Sequence, residues 1–325
     1  MTLRLTTPAA SRGESSTIGL DGLPDLTCAL VNNMPDGAFD ATERQFLGLL
    51  DQGSQALDVE VRRFTMDGVP RGEETSIRIT EDYIPLADLY PDAPDLLIVT
   101  GSNPIEVNIE DEPYWSDLVE VLSWARAEVT STMLSCLSAH AALTVFDGID
   151  RKRLPAKCAG VFSHHVKPRQ PLTSGLDSKI LLPHSRWNSV PREALDDAGY
   201  DVMIHSETTG WSLASREEEG RQLVLFQGHP EYDPSSLLRE YRRDAGRYVR
   251  GECDDSPILP FRCVAPADWD VLERFHQEIV LGERDPILFD DFPFEDLGAK
   301  APWPWRTLST RLFANWVTSV KQEED

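Results

Sequence analysis

The sequence predicts an α/β fold: a mostly parallel sheet with helices on both faces, an antiparallel extension, and a helical C-terminal segment. Three observations predict it. Short apolar, β-branched runs alternate with segments of helical periodicity through the first half of the chain, which is the pattern of a parallel sheet covered on both faces. Beyond residue 151, short strand-like runs follow one another with little helix between them, which suits antiparallel pairing. The chain closes on an amphipathic stretch, 307–320, with Leu312, Phe313, Trp316 and Val317 on one side. A length of 325 residues can bury a substantial core. The expected division is a loose arm over 1–24, rich in Ser, Thr and Gly, and one domain over 25–320.

In order along the chain, Leu26–Val31 is the first expected strand and ends in Asn32, Asn33, Met34 and Pro35. A helix is expected from Asp40 as N-cap, with Glu43 three residues on and an apolar face of Phe46, Leu47, Leu49 and Leu50. Val59–Phe64 is the second strand, followed by a polar stretch with no clear period. Residues 95–100 form a third strand that opens into Gly101, Ser102, Asn103 and Pro104, a loop at the strand end where open sheets place ligands. Residues 115–126 read as a helix through Leu118, Val121, Leu122 and Ala125. Residues 161–166, 181–186, 202–205, 211–215 and 223–226 are the extension's strands. A helix over 234–250 follows, with Asp233 as N-cap and Pro234 at the first position. It carries Arg239, Arg242, Arg243 and Arg247, some of which can face the site. Between 251 and about 305 the chain is acidic and rich in Pro and aromatics, with a helix only over 268–280.

The formal net charge of −24 disfavours nucleic acid and anionic membranes as partners, so any anionic ligand needs a local cluster of Lys and Arg. No signal-peptide core and no apolar run of membrane-spanning length is seen. The five cysteines, Cys28, Cys136, Cys158, Cys253 and Cys263, are scattered without a C-x-x-C pair. This argues against a disulfide framework or a bound metal, and for a reducing cytoplasm.

The stretch around Cys136 carries the chemistry. Residues 130–135 read as a buried strand, and Leu137, Ala141 and Val145 recur at helical spacing after it. Cys136 therefore sits where a strand turns into a helix, whose N-terminus favours a thiolate. A buried cysteine acting as a small hydrophobe is the plainer alternative. The base is expected downstream, where the apolar strand over 222–226 runs into Gly228, His229, Pro230 and Glu231. Glu231 can hold one nitrogen of His229 and leave the other for the thiol; an ordinary surface turn is the competing reading.

These stretches together resemble the homoserine O-acyltransferase family, usually called homoserine O-succinyltransferases. They are Asn33-Met34-Pro35, residues 42–46, 98–101, Tyr114-Trp115, 129–132, Cys136, Gly160-Val161, His164-His165, Pro183-His184-Ser185-Arg186, 228–233 and 313–316. The resemblance spans roughly residues 25–318 and implies a flavodoxin-like, class I glutamine-amidotransferase-like fold and a ping-pong acyl transfer in the 25–320 domain, the first step of methionine biosynthesis from homoserine. Cys136 would take the acyl group from acyl-CoA, His229 would be the general base, and Glu231 would orient it. The Leu137 backbone N–H and an amide after Gly101 would hold the oxyanion. By family position Lys157, Ser185 and Arg243 would bind substrate, Arg243 gripping a carboxylate. The implied partners are acyl-CoA and L-homoserine, both as substrates, with no separate cofactor; a homodimer is an open assembly.

Two departures bear on the donor. The family's lysine after Met-Pro is here Asp36, an anion in place of a cation. The loop after Gly101 leaves two alignments open for the position that separates succinyl from acetyl donors: Ile105 without a gap, Glu106 with a one-residue shift. Glu106 in the acyl pocket would repel a succinyl carboxylate and favour acetyl-CoA; Ile105 would leave the choice to nearby cations. Asp36 tilts the expectation slightly towards acetyl without displacing the family's succinyl label. Serine or an analogue is the alternative acceptor. A glutaminase uses the same triad, but its nucleophile is normally flanked by glycines, and Ser135, Leu137 and Ser138 supply none. A catalytically silent relative, suggested by Asp36, is weighed against by the intact triad positions.

Overall fold

The computed structural model describes residues 3–8, 23–54, 57–282 and 284–321. Its centre is a ten-stranded sheet built from β1 (Arg4–Thr6), β2 (Leu26–Val31), β3 (Val59–Phe64), β4 (Leu96–Val99), β5 (Ser131–Ser135), β6 (Lys152–Val166), β7 (Lys179–Ser189), β8 (Asp201–Ser206), β9 (Gly210–Glu218) and β10 (Arg221–Phe226). The spatial order is β1-β3-β2-β4-β5-β10-β9-β8-β6-β7. Strands β1 to β5 and β10 pair in parallel, and β10, β9, β8, β6 and β7 pair antiparallel. Most of the expected arm falls on residues 9–22, outside the described residues, but Arg4–Thr6 joins the sheet beside β3.

The period of two along each strand sends alternate residues to opposite faces, and here both faces are buried. Cys28, Leu30, Leu96, Ile98, Met133, Val224 and Phe226 enter one core. Ala29, Val31, Leu97, Val99, Leu134 and Leu225 enter the other. The first face is covered by α1 (Asp36–Gly53), among others, through Phe46, Leu49 and Leu50. The second is covered by α3 (Trp115–Glu128) and α4 (Leu137–Asp147).

Several helices depart from expectation, including two over 286–290 and 294–299, in a stretch where only 268–280 was expected to be helical. α1 starts at Asp36, straight after the extended Pro35, and not near Asp40; Asp40 instead pairs with Arg78. The polar stretch after β3 contains α2 (Glu73–Asp82), which buries no residue. It has no apolar stripe to announce it, and Asp36 anchors it by accepting from the Gly72 N–H at 2.9 Å. A short α5 (Arg192–Asp197) links β7 to β8.

The C-terminal third is helical: α6 (Ser236–Val249), α7 (Trp269–Leu281), α8 (Pro286–Asp290), α9 (Phe294–Ala299) and α10 (Arg306–Lys321). The N-cap of α6 is Ser235; Asp233 accepts from the Ser235 N–H at 3.2 Å and from the Ser235 and Ser236 hydroxyls at 3.0 Å. On α10, Phe313 packs against Phe46, and the Trp316 indole donates to Ser131 Oγ at 2.7 Å. The tail thus closes the first core under the nucleophile strand. Among the described residues no helix is long and apolar enough to cross a membrane.

Three buried histidines give the fold an acid limit. Burial is the first cause in each: it pushes His140 down to about 3, His164 to about 4, and His184 well below its ordinary value. All three are neutral when folded, whereas in the unfolded chain they titrate near 6.5. Below that pH the unfolded state binds more protons, so stability is complete above about 6.5 and falls as acid is added. Each group contributes up to about 1.4 kcal/mol per pH unit in that window. Urea unfolding between about pH 7 and about pH 5 should show a steadily falling free energy; a flat profile contradicts neutral burial.

Candidate active site

Pairing of β5 with β10 assembles the site. The two strands run in parallel with Phe226 opposite Ser135, and the Cys136 N–H donates to the Phe226 carbonyl at 2.7 Å. Cys136 and the turn 227–231 therefore leave the same end of the sheet side by side. Cys136 has φ 53° and ψ −103°, a left-handed elbow between β5 and the first turn of α4. A non-glycine residue held there is strained, a feature that concentrates at functional sites. Ser138 Oγ stitches the elbow down by donating to the carbonyls of Val99 at 2.8 Å and Ser135 at 3.0 Å.

Leu137 opens α4, so its N–H is among the helix donors without an intrahelical partner. The loop after β4 comes close to it: a Cβ on Gly101 would stand 3.1 Å from the Ser135 carbonyl and 3.4 Å from the Leu137 nitrogen. A side chain there would be tight against the elbow, so glycine eases the close approach of the loop.

His229 is buried. Its Nδ1 meets Glu231 Oε1 at 2.8 Å, and its ring stacks on Tyr232 at 4.3 Å. The His229 N–H donates to the Pro183 carbonyl at 2.9 Å, tying the turn to β7. Nε2 has no partner at strict hydrogen-bond geometry, yet Cys136 acts on the ring both through its charge and through side-chain hydrogen bonding. Burial disfavours the imidazolium, but the Glu231 carboxylate and then Cys136 outweigh it and raise the His229 pKa well above its ordinary value. Such a ring can accept and hold the thiol proton. His140, also at the site, has its ring committed to Gln227 Oε1 at 3.0 Å and is not available as a base.

The elbow opens into a cleft of about 580 Å³ lined by Cys136, His229, Lys157, Ser185, Arg186 and Arg243, among others. A second cavity of about 530 Å³, lined by residues 166–178, shares no lining residue with it. Lys157, Ser185 and Arg243 come together around α6, but their charges are already met. Lys157 Nζ pairs with Asp244 at 2.8 Å and Glu240 at 3.3 Å, Ser185 Oγ donates to Glu240, and Arg243 pairs with Asp244 at 2.8 Å. Tyr232 also donates to Glu240. Burial would raise the Glu240 pKa, but Lys157 first and then Arg243 pull it down to about 2. Glu240 and Asp244 were not singled out from the sequence; their spacing of four on the basic helix is the signal that could have found them.

The structure does not bring Ile105 and Glu106 to the cleft. Both are exposed and off the cleft lining, and their backbone N–H groups donate to the buried Glu112 Oε1 at 2.9 Å, while Ser102, Asn103 and Pro104 line the cleft mouth. Asp36 also lies off the cleft wall, bonded to Gly72. Both sequence arguments for an acetyl donor rested on these side chains and lose their footing. Arg186, from the Pro-His-Ser-Arg stretch, is buried with its fork on the carbonyls of Thr209 and Asn188.

A cysteine at a strained elbow, a histidine–carboxylate pair and an open cleft at the end of a parallel sheet make up the candidate active site of an α/β enzyme. The chain matches the model of the family "HTS: Homoserine O-succinyltransferase" over residues 20–325. It is 40% identical over 299 residues to a homoserine O-succinyltransferase of Cardiobacterium hominis, covering 92% of this chain and 83% of that one. It is likewise 40% identical to one from Rhodopseudomonas palustris, over 92% of this chain and 89% of the relative. A glutamine amidotransferase from Methylobacillus flagellatus shares the fold with a TM-score of 0.50 at 16% identity, over 91% of this chain and 95% of the other. The chain belongs to the homoserine O-succinyltransferase family, a family of acyltransferases.

Gly228 sets the position of His229. A Cβ there would stand 2.3 Å from Ser212 Oγ and 3.3 Å from the His184 ring. Gly228→Ala should cost about 1–3 kcal/mol of stability by overpacking and lower turnover at least about tenfold by displacing His229. Ser212→Ala removes the closest atom, so the double variant should recover part of both losses; strictly additive losses in a double-mutant cycle contradict the clash.

Proposed function

We propose that the protein transfers a succinyl group from succinyl-CoA to the hydroxyl of L-homoserine through a thioester on Cys136. The observation that carries this is the placing of Cys136, at a strained elbow, beside the His229–Glu231 pair in a chain of this family. His229 takes the thiol proton, and the sulfur attacks the acyl carbon of the CoA thioester. The tetrahedral oxyanion faces the Leu137 N–H and an amide of the loop after Gly101. Its collapse expels the CoA thiolate, which takes the proton from His229. Homoserine then enters, His229 removes its hydroxyl proton, and the alkoxide attacks the acyl carbon to give O-succinylhomoserine and free Cys136.

Glu231 keeps Nδ1 protonated and Nε2 turned to the reacting atoms in both halves. Lys157, Ser185 and Arg243 line the acceptor's part of the cleft, where Arg243 receives the amino acid's carboxylate and Glu240 and Asp244 hold the cations in place. The exposure of Glu106 supports succinyl over acetyl as the donor, since no carboxylate from that loop enters the cleft. This chemistry is the first step from homoserine towards methionine, and the five unpaired cysteines fit a reducing cytoplasm.

Steady-state kinetics with succinyl-CoA and homoserine test the assignment. Cys136→Ser and His229→Ala should each lower kcat by about a thousandfold or more, because a triad acts as a unit. The double variant should be little worse than either single one. Near-full turnover in either single variant contradicts the assigned roles.

A further inference from the structure

The cleft holds several cations that the mechanism above does not use, Arg151 among them. Arg151 follows α4 and lines the cleft wall that also contains Cys136 and the 102–104 loop. It is half-buried, and among the described residues it makes no hydrogen bond or ion pair. The other cations of the wall are committed or outside: Lys157 to Glu240 and Asp244, Arg243 to Asp244, Arg239 to Asp233, Arg247 to Glu252, and Arg186 to backbone carbonyls. Arg153 is exposed and lies 4.9 Å over the Trp187 ring.

A half-buried guanidinium is costly unless something meets it. Burial lowers the Arg151 pKa, and Tyr114, Cys136 and Glu112 act on it through space to oppose this, without bonding to its fork. In a chain of net charge −24, an arginine left with its whole fork free beside the nucleophile stands out as a receptor for a ligand anion.

Resting on the succinyl-transfer reading, we propose that Arg151 receives the distal carboxylate of the succinyl group while that group is carried on Cys136. A succinyl chain places its carboxylate roughly 4 Å from the thioester carbon by covalent lengths, so a group on the same wall as Cys136 can reach it. Glu112 serves this arrangement indirectly: by accepting from the Ile105 and Glu106 N–H groups it folds those residues outward and leaves Ser102, Asn103 and Pro104 to form the acyl side of the cleft. Donor selectivity then comes from a cation on the strand-to-helix side, and not from the Ile105 or Glu106 side chains.

The test compares kcat/KM for succinyl-CoA and butyryl-CoA, which differ by a carboxylate in place of a methyl group, in wild type and in Arg151→Gln and Arg151→Met. The succinyl-to-butyryl ratio should fall about a hundredfold in both variants, the worth of a charge-assisted bond. Arg151→Lys should keep part of the preference. An unchanged ratio overturns the proposal, whether both donors weaken equally or neither does. A raised KM for homoserine at constant donor ratio also overturns it, by placing Arg151 in the acceptor site. Wild-type protein that uses neither donor overturns the transfer reading itself, and the inference with it, before any variant is made.

Discussion

Parallel pairing of β5 with β10 is the constraint on which the site depends. Neither strand carries the whole candidate triad: Cys136 follows the end of one and His229 and Glu231 follow the end of the other, with some ninety residues of chain between. The register that sets Phe226 against Ser135, continued by the bond from the Cys136 N–H to the Phe226 carbonyl, brings the two turns level. Because side chains alternate along a strand, a slip of one residue would exchange Val224 and Leu225 between the two cores and carry His229 away from the thiol. The two apolar cores therefore fix catalytic geometry as well as stability. Bracing from outside completes it, since the Trp303 and Trp305 indoles both donate to the Tyr232 carbonyl, at 3.2 Å and 2.7 Å, behind the histidine turn.

Charge in the cleft is organised by anions as much as by cations. Glu240 gathers Lys157, Ser185 and Tyr232 at one point of α6, and Asp244 takes Arg243. Tyr232 thereby links this cluster to the ring of His229 through its own stacking contact. Mutual neutralisation holds these side chains in place, which on the proposed acceptor side would lower the cost of ordering them when ligand arrives. On the acyl side the balance is different, with a single uncommitted fork at Arg151.

Strong apolar runs made much of this legible in the sequence. Leu26–Val31 and Val59–Phe64 form strands at the expected bounds, and Cys136 lies at the expected strand-to-helix turn. Capping was less legible: Asp40 and Asp233 are good N-cap residues by type, yet Asp40 bonds to Arg78 and Asp233 holds the residues after it without being the cap itself. Helix α2 left no period to read because it buries nothing. The two candidate acyl-specificity positions stand off the cleft lining for a further reason. Which way Ile105 and Glu106 face depends on Glu112, a buried carboxylate six to seven residues on whose bonds to their amides have no signature in residue spacing. Arg151 has no signature in residue spacing: its place beside the cleft follows from the packing of the chain after α4.

The central claim is that the acyl group rests on Cys136 between the two half-reactions. Its most direct test is intact-mass spectrometry of the whole protein mixed with succinyl-CoA in the absence of acceptor. The account predicts the addition of one succinyl group, located on Cys136 by peptide mapping, discharged when homoserine is added, and missing in Cys136→Ala. Transfer to homoserine with no adduct at any time, or an adduct on another residue that discharges at the rate of turnover, would contradict it.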